Sequence, residues 1–525
     1  MVNARRFGQT FLFGAVLALA VLTTASGQSE SHAKNGGTLV VGLGFGGEPD
    51  ALDPTSFVAF AGAEVFRTIC ERLYDTDAKD RVVPELAASL PVVSKDRRTY
   101  TIRLRKGVLF NDGTPLDAES VVTSFQRAQT LPTSSHESDF SYMDRISAAG
   151  PHTVVIHLSK PFYPMLRVLS SVSAMIMSRT QLAKLGADFS KNPICVGAFM
   201  YDNRVAGDSI TVVRSPYYYD KKKVHLDRIV FKVANDAAAA AAALRAGDLH
   251  ALDLVTPTNL PAVRSTSSLR LFKQTQSGFQ AITFNIGNRG VGKPPENLGT
   301  PFARSKDLRK AFDLAIDRAA TGKVVFAGEM IPGCTPISPV SAWFDKTIAC
   351  ARHDRAEARR IVRASKISSP TIHLLSTNLT DEVRMAQAIQ AQEAAVGINV
   401  VLDPVDAATR LARVRAGKYE ARVGPNWTSC SIPDPCTHAF LHTTGERNSS
   451  GYSNPRLDAL LDKARQAPTA KEAKALYHQA LKIIVDARPQ LYLGHTIKYA
   501  GVSNRVTGVQ FYPDVMLRVK FAQFK

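Results

Sequence analysis

Beyond its first two dozen residues, this 525-residue chain has no segment that approaches a continuous apolar span. A membrane-crossing helix needs about 20 mostly apolar residues, so none is expected there. The local signatures of common hydrolases are also missing. G-x-S-x-G does not occur, nor does H-E-x-x-H, and His136-Glu137 has no second His four residues on. An activated serine on a strand-to-helix elbow, or a helical zinc site with its general base, would use those spacings. No C-x-x-C occurs, which removes the usual thiolate zinc pattern. The 12 His form no clustered ligand set along the chain. No metal site and no cofactor are expected, and no internal repeat appears.

Negative charge is scarce: 46 acidic residues face 65 basic ones, for a net +19. The Lys and Arg are scattered, and the densest run is only Lys221–Lys223. A nucleic-acid footprint would gather them on one stripe. The balance reads as a generally basic surface, with no nucleic-acid partner expected.

What the chain does have begins with an address. Residues 1–27 carry Arg5 and Arg6, an apolar run from Phe11 to Leu22, and then the small residues Ala25, Ser26 and Gly27. That is the pattern of a cleavable secretory signal, its core too short to span roughly 30 Å of hydrocarbon. No Cys closes the run, so no lipid anchor is expected and the mature protein reads as periplasmic. Loss of the two leader arginines would leave +17. A mature chain of this length forms more than one domain. Its six Cys, an even count in an exported protein, point to disulfides. Fifteen pairings are open. Proximity favours Cys334–Cys350 and Cys430–Cys436.

Hydrophobic periodicity outlines the elements. Thr38–Leu43 and Tyr100–Leu104 read as strands, as do Val154–Leu158 and Ile398–Leu402. Asp117 is placed to cap a helix through Phe125, and Asp236 to cap Ala237–Arg245, which Gly247 ends. Helical spacing covers Ala63–Leu73, Lys306–Thr321, Asp354–Ala364, Asp381–Val396, Leu457–Arg465 and Lys471–Asp486. The alternation predicts α/β lobes. Two motifs are look-alikes. Gly42 to Gly47 fits G-x-G-x-x-G after a strand, but Pro49 and Pro54 oppose the helix a pyrophosphate needs. Gly287 to Lys293 fits G-x-x-x-x-G-K, yet Pro294 stands where Ser or Thr would hold Mg²⁺.

A set of ordered phrases then becomes specific. They run Gly37-Thr-Leu-Val-Val with Leu52-Asp53-Pro54, then Glu71 to Asp77, and Pro84 to Ala87. Next come Tyr100-Thr-Ile-Arg-Leu-Arg-Lys-Gly107 through Asp112-Gly113-Thr-Pro115-Leu-Asp117, then Tyr217 to Tyr219. Ala243 to Gly247, Phe284-Asn285, Arg309 to Arg318, Gly397 to Val400 and Tyr452 to Pro455 complete the order. In this order they resemble family 5 of the extracytoplasmic solute-binding proteins, the oligopeptide and dipeptide receptors of ABC importers. The resemblance covers nearly all of the mature chain. It implies an α/β, two-lobed periplasmic-binding-protein fold with an extra domain, mixed sheets and a cleft that closes on a hinge. By analogy lobe I is 36–72, 181–283 and 486–525, the extra domain 73–180, and lobe II 284–485.

The resemblance also implies where ligand binds and where this chain departs. Peptide-binding members carry a phrase like Trp-x-x-Asp and then Asp-Pro in lobe II, the first Asp pairing with the peptide ammonium. Here Trp427-Thr428-Ser429-Cys430-Ser431 leads to Asp434-Pro435-Cys436, and the ammonium position falls on Cys430 or Ser431. A neutral group there loses a charge-assisted bond worth roughly 1.5–3 kcal/mol. The candidate ligand-binding residues are Trp427, Thr428, Ser429, Cys430, Asp434, Phe45, Phe279 and Gln280. Arg422 reads as a surface charge, with carboxylate binding as its other role. The expected function is that of a monomeric, non-enzymatic receptor. It captures a peptide or peptide-like solute and delivers it to inner-membrane permease subunits. A sugar, an anionic solute or a metal chelate is the alternative ligand, and an exported hydrolase the alternative class.

Overall fold

The computed structural model describes residues 35–44, 47–57, 59–290, 293–426 and 430–525. The leader 1–27, Phe45, Trp427, Thr428 and Ser429 lie outside the described residues.

A twelve-stranded mixed sheet runs through the protein. Its spatial order is Asn399–Val405, Thr371–Thr377, Ala421–Asn426, Phe279–Phe284, Gln490–Ser503, Ala251–Leu252, Thr38–Leu43, Arg228–Val233, Ser209–Arg214 and Phe199–Val205. Leu269–Thr275 and Met330–Pro332 also pair with Gln490–Ser503. Thr38–Leu43, the strand expected from sequence, buries Leu39 and Val41 to Leu43 and lies parallel to both of its neighbours. Strands covered on both faces read as near-continuous apolar runs, as this one does. A separate four-stranded antiparallel sheet contains Val92–Val93, Thr99–Arg103, Thr153–Leu158 and Met143–Ala148.

The buried apolar side chains gather in five clusters. The first joins Leu39, Phe66 and Phe199 to Val502 and Leu517. The second, with Tyr74, Phe110, Phe125 and Ile156, lies under the four-stranded sheet. The third and fourth hold residues between Phe279 and Leu493. The fifth packs Leu244 and Val263 under Tyr499.

Helix starts follow the side-chain caps. Asp117 accepts from the Ser120 amide, Asp354 from Glu357, and Asp236 from Ala238 and Ala239. Gly247, at φ +92, ends the helix Ala237–Ala246. The single helix expected over Lys306–Thr321 is instead two, Lys306–Ala315 and Arg318–Phe326. Asp317 is the reason: its backbone is extended and its carboxylate accepts from the Ala320 amide at 2.9 Å, which starts a new helix. After Thr38–Leu43 the next helix begins only at Phe60, and the Gly44 amide donates to Asp253 at 2.6 Å. Among the described residues no helix starts directly behind the glycines, where a dinucleotide's pyrophosphate would need one.

All six Cys are paired. Cys334–Cys350 and Cys430–Cys436 are the neighbours favoured by proximity, with Cα–Cα distances of 5.2 and 5.6 Å. Cys70–Cys195 spans 125 residues at 4.9 Å. It ties the end of the helix Phe60–Ile69 to a segment near the second cluster.

Candidate functional site

The fourteen-residue strand Gln490–Ser503 belongs to both halves of the large sheet. Its first part pairs with Phe279–Phe284, from Thr283 opposite Gln490 to Gln280 opposite Gly494. Its second part pairs with Leu269–Thr275, from Thr275 opposite Ile497 to Leu269 opposite Ser503. Two crossings between the halves therefore lie side by side, one at 494–497 and one at 276–278. They are stitched together. The Gln276 amide donates to the Thr496 carbonyl at 3.0 Å, and the Thr496 hydroxyl donates to Gln276 Oε1 at 2.9 Å. His495 Nδ1 donates to the Gly278 carbonyl at 2.8 Å. Burial pushes His495 down to about 4, against the opposing pull of the Gly278 and Thr335 carbonyls, so the ring is neutral at pH 7.

The loop singled out in sequence starts beside this crossing. Asn426 closes the strand Ala421–Asn426 opposite Phe279, and its carbonyl lies 2.3 Å from where a Cβ on Gly278 would stand. On the far side of the loop, Cys430 is fully buried in its disulfide with Cys436. Ser431 donates to the carboxylate of Asp80, which Arg167 grips at 2.8 and 3.1 Å. Burial raises the Asp80 pKa; Arg167 opposes the shift. Asp80 thus brings a carboxylate from the 73–180 stretch to the position where the resemblance places an aspartate.

Asp434 is 4% exposed and already saturated. Its carboxylate accepts from Arg465 Nε at 2.7 Å, Arg465 Nη2 at 3.1 Å and the Tyr477 hydroxyl at 3.2 Å. It anchors the start of the helix Asp434–Leu441 on the helices Pro455–Gln466 and Ala470–Ala487. Phe279 is 2% exposed and packs edge-on against Tyr492 at 4.9 Å, inside the fourth cluster. Gln280 is also buried, and its Oε1 has no hydrogen-bond partner among the described residues. Arg422 is not the solvated surface charge expected. It is largely enclosed, burial lowers its pKa, and Nη2 reaches Ser449 Oγ at 3.4 Å. It lies on the strand opposite Thr283, where the sheet and the 449–452 segment cover it.

Sequence reading missed a contact between the 73–180 stretch and the helix Pro455–Gln466. Arg465 lies over the rings of Tyr142 and Phe162, 5.5 and 5.6 Å from their centroids. The Tyr163 amide donates to the Arg465 carbonyl at 2.5 Å, and Arg97 donates to the Gln466 carbonyl at 3.2 Å. Trp343 stands edge-on between Tyr163 and Tyr477. Nearer the hinge, Lys498 faces Asp381 at the start of the helix Thr380–Ala394, and burial pushes Lys498 down to about 8. A second finding departs from sequence. His438, His442 and Asp462, unclustered along the chain, place donor atoms within 4.8 Å of one another.

Two sheet-built lobes joined by two adjacent crossings define a hinged two-lobe binding protein. The comparisons give the family. The model of bacterial extracellular solute-binding proteins, family 5 middle, matches residues 81–448, and the chain belongs to that family. It is 27% identical over 516 residues to the probable D,D-dipeptide-binding periplasmic protein DdpA of Escherichia coli, across 94% of this chain and 96% of that one. It is 26% identical over 477 residues to the glutathione-binding protein GsiB of Salmonella paratyphi A, covering 88% and 90%. The fold matches the oligopeptide-binding protein AppA of Bacillus subtilis, solved with a nonapeptide. The TM-score is 0.80 at 21% identity, across 94% of this chain and all of that one. Members of the family are binding proteins that work outside the cytoplasm, and no helix among the described residues is long and apolar enough to cross a membrane.

Proposed function

We propose that this protein is the exported receptor of an ABC importer. It captures a peptide or peptide-like solute between its lobes and presents the closed form to a membrane permease. The observation that carries the reading is the hinge. The crossings at 276–278 and 494–497 let one lobe swing on the other, and solute drives closure because it binds the closed form better. The relatives bring the ligand class, since those named above bind dipeptides, glutathione or an oligopeptide. The leader 1–27 directs export without a lipid anchor, 73–180 is the extra domain, and the lobes divide at the crossings, so that 279–283 and 486–493, which the resemblance gave to lobe I with 36–72, 181–278 and 494–525, go with lobe II, 284–485. The receptor acts as a monomer and performs no chemistry on its cargo.

Trp427, Thr428, Ser429, Phe45 and Phe279 are our candidate ligand-binding residues, with Gln280 Oε1, unpartnered among the described residues, as an acceptor for solute. Cys430 and Asp434 act on the segment that follows, one through its disulfide with Cys436 and the other through Arg465. The carboxylate that meets Ser431, Asp80, is already paired with Arg167. That arrangement favours a solute whose amino end is blocked or absent over a free dipeptide. Native mass spectrometry of the purified protein, followed by denaturation, tests the reading. A released peptide-like solute supports it, and Trp427→Ala should then weaken rebinding with little change in the solute-free Tm. Release of no solute, no rise in Tm across a peptide panel and turnover of a chromogenic ester would replace it with the hydrolase.

A further inference from the structure

We propose that His438, His442 and Asp462 form a binding site for one divalent transition-metal ion, with Zn²⁺ as the fitting class. The site lies on the paired helices Asp434–Leu441 and Pro455–Gln466, and the proposal does not depend on the identity of the captured solute.

The sequence sets it up by spacing alone. His438 and His442 are four residues apart, the first in the helix Asp434–Leu441 and the second its C-cap, and Asp458 and Asp462 are four apart on one face of Pro455–Gln466. Packing turns the two faces together. The imidazoles lie parallel, with centroids 4.3 Å apart. His438 Nε2 is 3.4 Å from Asp462 Oδ1, and His442 Nε2 is 3.6 Å from Asp462 Oδ2. Zinc bonds of about 2.1 Å place neighbouring donors about 3.4 Å apart in a tetrahedron. Each imidazole stands near that spacing from one oxygen of Asp462, and single donor atoms of the three residues lie within 4.8 Å of one another, so small side-chain shifts close the set.

A second observation points the same way. His442 is 9% exposed, yet its Nε2 has no hydrogen-bond partner and faces the carboxylate and the other ring. A buried polar nitrogen without a partner is costly, and a metal ion would satisfy it. His438 is 8% exposed, and burial, Arg465 and His442 keep its ring neutral, the state in which imidazole ligates. The outer groups suit the role. His442 Nδ1 accepts from the Thr444 amide at 3.1 Å in the metal-free protein; with a metal on Nε2 the proton moves to Nδ1, Thr444 Oγ1 at 3.0 Å can accept it, and the amide gives up its bond. Asp458 stays 3.8 Å from His442 Nε2, held by the Thr443 amide and hydroxyl at 2.9 and 2.6 Å, and adds negative charge beside the ion. The Asp462 side chain is 43% exposed, which gives an entry path and room for water as a fourth ligand. Two imidazoles and a carboxylate select zinc, nickel or copper over the hard cations magnesium and calcium.

The disulfide-bonded protein, stripped with EDTA and dialysed, is titrated with Zn²⁺ alone by calorimetry, with Mg²⁺ as the hard-cation control. One Zn²⁺ per chain should bind, Mg²⁺ should give no heat, and Zn²⁺ should raise the Tm. Asp462→Asn, at a half-exposed position that tolerates change, and His442→Gln should each weaken Zn²⁺ binding by at least about tenfold. The metal-free Tm of Asp462→Asn should stay close to that of the unchanged protein. No uptake of Zn²⁺ by the unchanged protein overturns the assignment. So does Zn²⁺ binding by Asp462→Asn at undiminished affinity, which would mean scattered surface histidines are responsible.

Discussion

Arg465 grips Asp434 through two nitrogens, at 2.7 and 3.1 Å, while its guanidinium lies across the rings of Tyr142 and Phe162. One side chain thus anchors the turn after the ligand loop and touches the 73–180 stretch. Both members are largely enclosed, with side-chain exposures of 13% and 6%. Removing one partner of such a pair leaves an uncompensated charge, at a cost of about 3–5 kcal/mol. Arg465→Ala should therefore lower stability by roughly that amount in urea unfolding. Adding Asp434→Asn should return part of it, because the stranded charge is gone. A double-mutant cycle with a coupling below about 0.5 kcal/mol would show the pair to be independent.

The three disulfides should differ in weight. In the chain-entropy picture stabilisation grows with the loop closed, giving about 5 kcal/mol for a separation of 125, about 3 for 16 and about 2 for 6. Replacing Cys70 and Cys195 with Ser should cost the most stability. Replacing Cys430 and Cys436 should cost the least stability and the most solute affinity, since that bridge borders the ligand loop. Denaturation and binding measured on the three double variants check both orders, and an inverted stability order would contradict the loop-length argument.

Much of the frame was legible because it is local. Caps such as Asp117, Asp236 and Asp354 act on amides two or three residues away, and Thr38–Leu43 is apolar because both faces are covered. The helix break at Asp317 was hidden because apolar periodicity runs on through it, while the cap depends on one carboxylate. The site was less legible because it is made by distant pairs. Nothing near Asp80 announces Ser431, and nothing near Tyr142 announces Arg465. Asp434 matched a ligand phrase but is saturated by groups 31 and 43 residues away. For His438 and His442 a signal did exist: histidines four apart at the end of one helix and aspartates four apart on the next. It needed the packing of those helices to be read.

His495 should make the hinge sensitive to acid. The unfolded ring takes up a proton as pH falls through about 6.5, whereas the folded ring does so only near 4. Its contribution is complete above that first value and is lost as pH falls between the two, amounting to roughly 3 kcal/mol at pH 4. His438 is depressed too and acts in the same direction, so the slope of the whole protein is not due to His495 alone. His495→Gln retains a donor for the Gly278 carbonyl and removes the titration. Its stability should fall less steeply from pH 6.5 to 4 than that of the unchanged protein. Parallel urea-midpoint curves for the two would remove His495 from the account.

Gly278 should be the position where the smallest change most disturbs binding. A Cβ there would stand 2.3 Å from the Asn426 carbonyl oxygen and 3.1 Å from Gln276 Nε2. The first distance is far inside contact with backbone, so the end of Ala421–Asn426 must move away from Phe279–Phe284. Forced overpacking of this kind costs about 1–3 kcal/mol. The displaced residue is the one that leads into the ligand loop, so Gly278→Ala should weaken solute binding at least tenfold while the protein still folds. Gly299→Ala is the matched control, because its added Cβ meets only Arg304 Nη2 at 3.5 Å, and it should leave affinity and stability unchanged. Calorimetry with the solute released from the purified protein, run beside urea unfolding, separates the two effects. Unchanged affinity in Gly278→Ala would mean that the loop tolerates movement of its base, and that Trp427 is positioned by contacts other than those at the hinge.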